Sequence, residues 1–325
     1  MTSVASALPW PRVGAGGSVA PLCVAAFAAF ALTVPGFATG TNIEAVLIAA
    51  LPLLLLVSGQ TFVLVSGGID LSATAVVGLA SVAGGLVMSH DVQPGAGGLP
   101  PAAGPVLMVL TGALAGAVNG VCIGALRMPA FMVTLTVGMF SGGLAVLLVR
   151  LAADTETLFN LPRAFVALGG TPLAAGLIAG VSALAAEVLL GGTAFGRMLR
   201  AVGYNARAAR TSGVPVVAVT AAAYVLSGTF AALAAVLLTG SLETASPAHG
   251  RTLLLDVIGA TVIGGTSLSG GRGQVWGAAL GVLFLGMLSN ALTLLNVSDF
   301  AVTIVKGGLI LVAAIVDRAI RPLRA

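Results

Sequence analysis

Charged side chains are scarce in this chain: Asp, Glu, Lys and Arg make up 7% of its 325 residues, against about a quarter in an average soluble domain. Hydrophobic residues make up 58%. A single core in water stops growing at about 250–300 residues and cannot enclose this much apolar surface. The apolar residues form long, non-alternating runs rich in Ala, Leu and Val, which is typical of bilayer-spanning helices rather than barrel strands. The composition therefore predicts a protein that folds in lipid.

The apolar runs predict about ten transmembrane helices, since most of them approach the roughly 20 residues that a bilayer core requires. They lie at 19–36, 44–65, 71–89, 104–126, 130–150, 171–192, 215–240, 253–266, 274–292 and 300–316. The first run has the length of a signal peptide, but no convincing small-residue cleavage site follows it, so we interpret it as a membrane helix. The 45 glycines favour close packing between helices. The predicted fold class is an all-α polytopic membrane protein, with residues 1–325 forming one transmembrane domain.

The arginines predict how the chain is oriented. With both termini in the cytoplasm, most arginines fall on the inner side, as the positive-inside rule requires. The inner ones are Arg12, Arg127, Arg197, Arg200, Arg207, Arg210, Arg272, Arg318, Arg321 and Arg324, and the outer ones are Arg150, Arg163 and Arg251. The tails 1–18 and 317–325 and the loop 195–214 are then cytoplasmic. The net charge of +4 is thus a topology signal, because a nucleic-acid interface would cluster basic residues with stacking aromatics.

Two connecting segments are too polar to span the membrane. Residues 151–170 mix charged and apolar side chains and are expected to lie along the outer interface. Residues 195–214 have a composition that favours helix, which we expect Gly203 to divide into two short helices. At helical spacing the three arginines Arg200, Arg207 and Arg210 would share one face, beside small alanines. That face suits either the docking of another protein or an anchor to lipid headgroups.

Residues 196–213 resemble the cytoplasmic loop of ribose-type ABC sugar permeases, which reads G-x-x-x-x-A-x-G-x-N-x-x-A-A-x-x-S-G. In that family the loop couples the permease to its ATP-binding subunit. The resemblance therefore implies that the coupling residues here are Gly196, Arg197, Arg200, Ala201, Gly203, Asn205, Ala208, Ala209, Ser212 and Gly213.

Four further stretches resemble the same family in the same order. They are Ser66–Ser72 (G-I-D-L-S), Asn119-Gly120 with Pro129–Leu135 (P-x-F-x-x-T-L), Ile263–Gly273 (G-G-T-S-L-x-G-G-x-G), and Lys306-Gly307. The resemblance makes these signature or translocation-path candidates: Gly68, Asp70, Ser72, Asn119, Thr134, Asp256, Gly264, Gly265, Thr266, Ser267, Gly270, Gly271, Asn290 and Lys306. The chain departs from the family at three positions. Thr74 stands where the family usually has Gly, Gly142 stands where it commonly has Arg, and Leu254 lies in a stretch where it often has Glu. These departures leave the fold expectation intact and bear on the substrate.

Several of these residues also have a plain structural interpretation. Asp70 or Ser72 would cap the following helix, or form a polar element beside the path. The glycines of 264–273 would form a turn. Lys306 would snorkel to an interface, or pair with Asp256 or Asp299.

Three polar residues are candidates for lining a sugar path, namely Asn119, Thr134 and Asn290, because placed hydrogen-bonding groups bind hydroxyl-rich ligands. Each of them is also an ordinary helix-packing residue in lipid.

The chain itself is not expected to be an enzyme. It has no G-x-x-x-x-G-K-[ST] phosphate loop, and Lys306 is its sole lysine. We find no His, Cys or carboxylate cluster with metal-ligand spacing and no catalytic constellation, so we predict no metal, cofactor or catalytic residue.

The resemblance implies a membrane subunit of an ABC importer with a type II-like architecture in the bacterial inner membrane. It would carry a ribose-, xylose- or galactose-like monosaccharide. The implied partners are a second permease copy, identical or not, a cytoplasmic ATPase, an extracytoplasmic solute-binding protein and the bilayer. Nucleosides, branched-chain amino acids and signalling sugars stay open as substrates. An ion-coupled secondary transporter is the alternative class, although the chain has few of the intramembrane carboxylates that it would need.

Overall fold

The computed structural model describes residues 19–92, 100–153 and 155–319. The predicted tail 1–18 and most of the tail 317–325 lie outside this part of the chain. The described residues form twelve helices, namely α1 (Val19–Thr33), α2 (Gly40–Val65), α3 (Ala73–Met88), α4 (Ala103–Gly124), α5 (Ala130–Ala152), α6 (Arg163–Gly170), α7 (Pro172–Gly192), α8 (Ala194–Thr211), α9 (Val216–Ser241), α10 (Leu254–Ile263), α11 (Val275–Leu294) and α12 (Asp299–Ala319).

Every predicted spanning segment coincides with one of these helices. Six of them, α2, α4, α5, α7, α9 and α11, are long and apolar enough to cross a membrane. The apolar helices α1, α3 and α10 are shorter, with 15, 16 and 10 residues. A helix the length of α10 rises about 15 Å, roughly half of a bilayer core. The all-α fold is therefore confirmed for the described residues, and the number of ten crossings stays a prediction.

The long helices differ in how deeply they are buried. Helices α2, α3 and α9 are mostly buried, whereas α4, α5 and α7 bury only 28% of their apolar stretches. In water such exposed apolar helices would be unstable, so their outer faces are suited to lipid. The bundle thus has a core formed by α2, α3 and α9, surrounded by helices with apolar outer faces.

Glycines bring α4 and α9 into close contact. Gly112, Gly116, Gly120 and Gly124 recur every fourth residue on one face of α4. A Cβ atom on any of the first three would overlap the backbone of α9, for example at the carbonyl of Gly228. This is the small-residue packing that replaces the hydrophobic effect between helices in lipid.

Connecting segments gather at two opposite ends of the bundle. The α8 end consists of residues 65–68, 194–213 and 264–274, and the α6 end consists of residues 89–91, 157–170 and 242–251. Helix α9 joins the two ends, because α8 leads into its first residue and Gly169 of α6 packs on its last turn. The two polar segments that we predicted on opposite sides of the membrane therefore lie at opposite ends of the fold.

Candidate functional site: the α8 end and a cavity with an ion pair

Helix α8 is broken into two halves at Asn205, whose φ of −163° and ψ of 99° are not helical. Its Oδ1 atom accepts hydrogen bonds from the backbone nitrogens of Arg207 and Ala208, both at 3.0 Å. This is the geometry of a helix N-cap. The prediction of two short helices is correct, but the division at Gly203 was wrong. An extended N-cap residue ends one helix and starts the next, whereas Gly203 stays helical.

Gly203 instead provides a close contact. A Cβ atom there would overlap the carbonyl oxygen of Val65, the last residue of α2, and would lie 2.5 Å from the nitrogen of Gly271. That nitrogen donates to the same Val65 oxygen at 2.8 Å. A Cβ on Gly270 would in turn lie 2.8 Å from the Cα of Gly67. Three of the glycine-containing motifs therefore meet at one point.

Arg200 points toward this contact and away from the other arginines. Its Nη2 donates to the carbonyl of Gly273 at 3.3 Å, and its Nε is buried without a hydrogen-bond partner. Arg207 and Arg210 are exposed beyond the break at Asn205. The common face predicted for the three arginines does not form, because the extended residue interrupts the helical periodicity.

The predicted coupling residues divide into two groups by burial. One group packs against the bundle and consists of Gly196, Arg200, Ala201, Gly203 and Ala209. The other group is exposed and consists of Arg197, Asn205, Ala208, Ser212 and Gly213. Of the predicted coupling residues, the second group is therefore the one exposed for contact with another molecule, as are Arg207 and Arg210.

Asp70 lies in a buried hydrogen-bond network and is 1% exposed. Its Oδ1 accepts from the nitrogen and hydroxyl of Ser72 at 2.9 and 2.6 Å, and its Oδ2 accepts from the hydroxyl of Ser227 at 2.7 Å. Asn119 donates to the Ser72 hydroxyl at 2.8 Å. Neither Asp70 nor Ser72 caps α3 with its side chain, since the Ser72 cap position makes no such bond. The network instead ties residues 69–72 to α4 and α9.

Two members of this network were missed from the sequence, namely Ser227 and Tyr224 of α9. The Tyr224 hydroxyl donates to the carbonyl of Ile69 at 3.4 Å, and Thr134 of α5 lies 3.5 Å from the same oxygen. The sequence does contain a signal for them, because Tyr224 and Ser227 are three residues apart and therefore share a face of the helix. A polar pair at that spacing in the apolar α9 indicates a partner inside the bundle.

The predicted glycine turn at 264–273 is confirmed. Gly265, Gly270 and Gly271 have positive φ angles of 87°, 83° and 78°. The backbone of Ser267 closes the turn by donating to the carbonyl of Arg272 at 2.9 Å. The hydroxyl of Thr266 is buried there without a partner. The turn holds α10 and α11 together and places Gly271 against α2.

A cavity of about 400 Å³ lies between α2, α10, α11 and α12. On its wall the Nζ of Lys306 donates to the Oδ2 of Asp256 at 2.9 Å. This decides between the predicted alternatives for Lys306: it pairs with Asp256 and not with Asp299. Asn290 also lines the cavity, and its amide exchanges two hydrogen bonds of 2.9 Å with Asn42.

The α6 end has its own polar contacts. Leu158 and Ala245 pair as an isolated antiparallel β-bridge, with two bonds of 2.9 Å. Asp91 accepts from the side chain of Asn160 at 2.6 Å and from the nitrogen of Phe159 at 2.7 Å, and these bonds lower the pKa of its carboxyl. His249 lies close to the hydroxyl of Ser81 at 3.2 Å, and burial lowers the pKa of its imidazole.

Together, the six helices long and apolar enough to cross a membrane, the capped polar helix at one end and the largely apolar cavity between α2, α10, α11 and α12 are the features of a multi-pass membrane protein. Residues 42–314 match the family described as branched-chain amino acid transport system / permease component, and the chain belongs to this family.

Curated relatives cover most of the chain. It is 38% identical over 276 residues to the ribose import permease of Bacillus subtilis, which covers 81% of this chain and 80% of the relative. It is 32% identical over 321 residues to the L-arabinose ABC transporter permease of Azospirillum brasilense, covering 95% and 89%. It is 33% identical over 292 residues to the ribose import permease of Escherichia coli, covering 87% of each chain. No solved structure gives a significant match.

Proposed function

We propose that this chain is the membrane-spanning subunit of an ATP-binding-cassette importer that carries a ribose- or arabinose-like monosaccharide across the bacterial inner membrane. The observation that carries the proposal is its similarity, over 81% to 95% of its length, to permeases named for ribose and L-arabinose. ATP hydrolysis would take place in a separate subunit, as the description of a relative as an ABC transporter permease suggests, and this sequence has no phosphate-binding loop with a lysine.

The ATPase docks on the second half of α8. Arg207, Ala208 and Arg210 are exposed there, and the small alanine allows a partner to approach between two positive charges. The first half packs against the last residue of α2 and the turn between α10 and α11, so a force on α8 reaches α2 and this turn. Nucleotide binding would bias the bundle between two arrangements through this contact.

The orientation of the chain in the membrane determines on which side the other partners bind. The α8 end and both termini face the cytoplasm, in agreement with the arginine distribution. The α6 end then faces outward and receives the solute-binding protein. A second permease copy completes the pathway.

The test is uptake by the full complex. The permease is reconstituted in proteoliposomes with its own ATPase and binding protein, and uptake of radiolabelled D-ribose and L-arabinose is followed with ATP, without ATP and with a non-hydrolysable analogue. We expect uptake of at least one of the two sugars only with ATP.

Two results would contradict the proposal. Uptake that needs a proton gradient and no ATP would assign the chain to the secondary transporters. ATP-driven uptake of leucine in place of either sugar would transfer it to the amino acid importers named in the family description.

A further inference from the structure

The cavity between α2, α10, α11 and α12 has the size and chemistry of a ligand site. Its volume of about 400 Å³ falls within the roughly 300–1,000 Å³ that small-molecule sites occupy. Most of its wall is apolar, from residues such as Ala49, Leu53 and Val282. The polar groups on it are few, which is the usual composition of a specific pocket.

The ion pair on this wall is costly in its surroundings. Lys306 is the only lysine of the chain and stands seven residues into the apolar α12. Its side chain is 20% exposed and that of Asp256 is 16% exposed. Charged residues inside membrane helices are rare and usually face a functional cavity. Snorkelling alone does not explain this lysine, because its ammonium turns to a carboxylate on another helix.

Two hydroxyl groups complete the polar wall. Ser289 donates to the carbonyl of Leu285 at 2.8 Å, and Thr293 donates to that of Ser289 at 2.9 Å. Their protons are thus used within α11, and their oxygens remain able to accept. The amide of Asn290 is held by Asn42. The cavity therefore presents two hydroxyl acceptors, a carboxylate and an ammonium.

We infer that this cavity binds a neutral, polyhydroxylated solute, with adjacent hydroxyls bridging the carboxylate of Asp256 and the ammonium of Lys306. The pair is neutral as a unit and offers strong acceptors and donors side by side, which suits a vicinal diol. A free anion would meet the Asp256 carboxylate beside the Lys306 ammonium, and a free cation would meet the ammonium beside the carboxylate. A zwitterionic amino acid could bridge the same pair, so leucine is the competing ligand in the test. This inference rests on the proposed function and assigns the substrate class to one site.

The sole lysine allows a direct binding test. The complete complex in lipid nanodiscs is treated with a small amine-acylating reagent, and acylation of Lys306 is followed by mass spectrometry of its peptide. We expect D-ribose or L-arabinose to slow acylation roughly tenfold when the sugar is at about ten times its Kd. Leucine at the same concentration should leave the rate unchanged. Equal rates with and without either sugar would overturn the inference, as would protection by leucine alone.

A second test fills the cavity without touching the ion pair. Gly286 lines the cavity, and a Cβ atom there would meet only Val46, at 3.8 Å. Gly286→Leu should abolish sugar protection of Lys306 and reduce ATP-driven uptake about tenfold, while assembly with the ATPase persists. The matched control is Gly180→Leu on α7, where nothing lies within 4 Å of the new Cβ; it should behave as the unmodified chain.

The outcomes of these tests distinguish an error in the proposed binding site from an error in the proposed function. A complex that takes up neither sugar contradicts the proposed function itself. A complex that takes up sugar normally with Gly286→Leu, and in which sugar still protects Lys306, refutes only the site.

Discussion

Gly203 of α8 lies against the carbonyl oxygen of Val65, the last residue of α2, so closely that no side chain fits between them. The same oxygen accepts a hydrogen bond from Gly271 at 2.8 Å. Helix α8 is therefore bound to α2 and to the turn between α10 and α11 through backbone contacts. Such contacts are short and stiff, which suits the transmission of a displacement from α8 into the bundle.

Gly203→Ala should separate α8 from this contact. The added methyl group would overlap the Val65 oxygen, and overpacking of this kind typically costs about 1–3 kcal/mol. We expect a lower thermal unfolding midpoint in detergent and a loss of ATP-driven uptake. Gly192→Ala is the control, because its methyl group would meet only Val188, at 3.9 Å. Uptake by Gly203→Ala equal to that of the control would refute the role of the contact.

Asn205 should be replaceable only by residues that can cap a helix. Asn205→Ala removes the acceptor for the nitrogens of Arg207 and Ala208, at a cost of about 0.5–2 kcal/mol. Asn205→Asp and Asn205→Ser keep an acceptor. We expect weaker ATPase binding for the alanine variant and near-normal binding for the other two, measured by titration of the ATPase onto the permease in nanodiscs. Equal affinity for all three variants would mean that the cap does not organise the docking half of α8.

The helices of this protein were predictable because apolar runs in lipid leave few alternatives. Each of the ten predicted segments begins and ends within a few residues of an observed helix. The break in α8 was misplaced by two residues, since glycine flexibility is only one of two ways to end a helix. The other is an extended residue that caps the next helix, and Asn205 is chemically suited to it.

The contacts of the α8 end were less predictable. The motifs around Gly67, Gly203 and Gly270 were visible, but nothing in their spacing says that they meet. Their contact depends on where α2 and α10 end in space. The pairing of Lys306 with Asp256 was foreseen as one of several options, and only the packing of α12 on α10 decides between them.

Replacement of Asp70 by Asn should destabilise the protein less than replacement by Ala. Asp70→Ala leaves the buried hydroxyl of Ser227 and the nitrogen of Ser72 without their acceptor, and each unsatisfied group costs about 1–3 kcal/mol. Asp70→Asn keeps one carbonyl oxygen, and the hydroxyl of Ser227 can rotate to accept. We expect a large drop in the thermal midpoint for alanine and a small one for asparagine. Equal drops would indicate that the negative charge, rather than the hydrogen bonds, is what the site requires.

The close contact of α4 with α9 should be as sensitive to added side-chain volume as a packed protein core. A methyl group in Gly116→Ala would overlap the carbonyl of Tyr224 and lie 2.8 Å from the Cα of Val225. We expect a destabilisation of about 1–3 kcal/mol, measured as loss of folded protein on heating in detergent. Gly143→Ala on α5 is the comparison, because its Cβ would have nothing within 4 Å. Matching stability of the two variants would show that α4 can move away from α9 without cost.

The stability of the α6 end should fall in mild acid through His249. His249 is 9% exposed, and burial lowers the pKa of the imidazole below its ordinary value of 6.5. As the pH falls through 6.5 the unfolded chain takes up a proton that the folded chain resists, so the free energy of unfolding decreases, by at most about 1.4 kcal/mol per pH unit. Above that pH neither the folded nor the unfolded chain is protonated at His249, and the effect vanishes.

We expect the thermal unfolding midpoint of His249→Gln to change less between pH 7 and pH 5 than that of the unmodified chain, because glutamine carries no titrating proton there. The same slope in His249→Gln and in the unmodified chain would mean that the burial of His249 does not contribute to the pH dependence of stability.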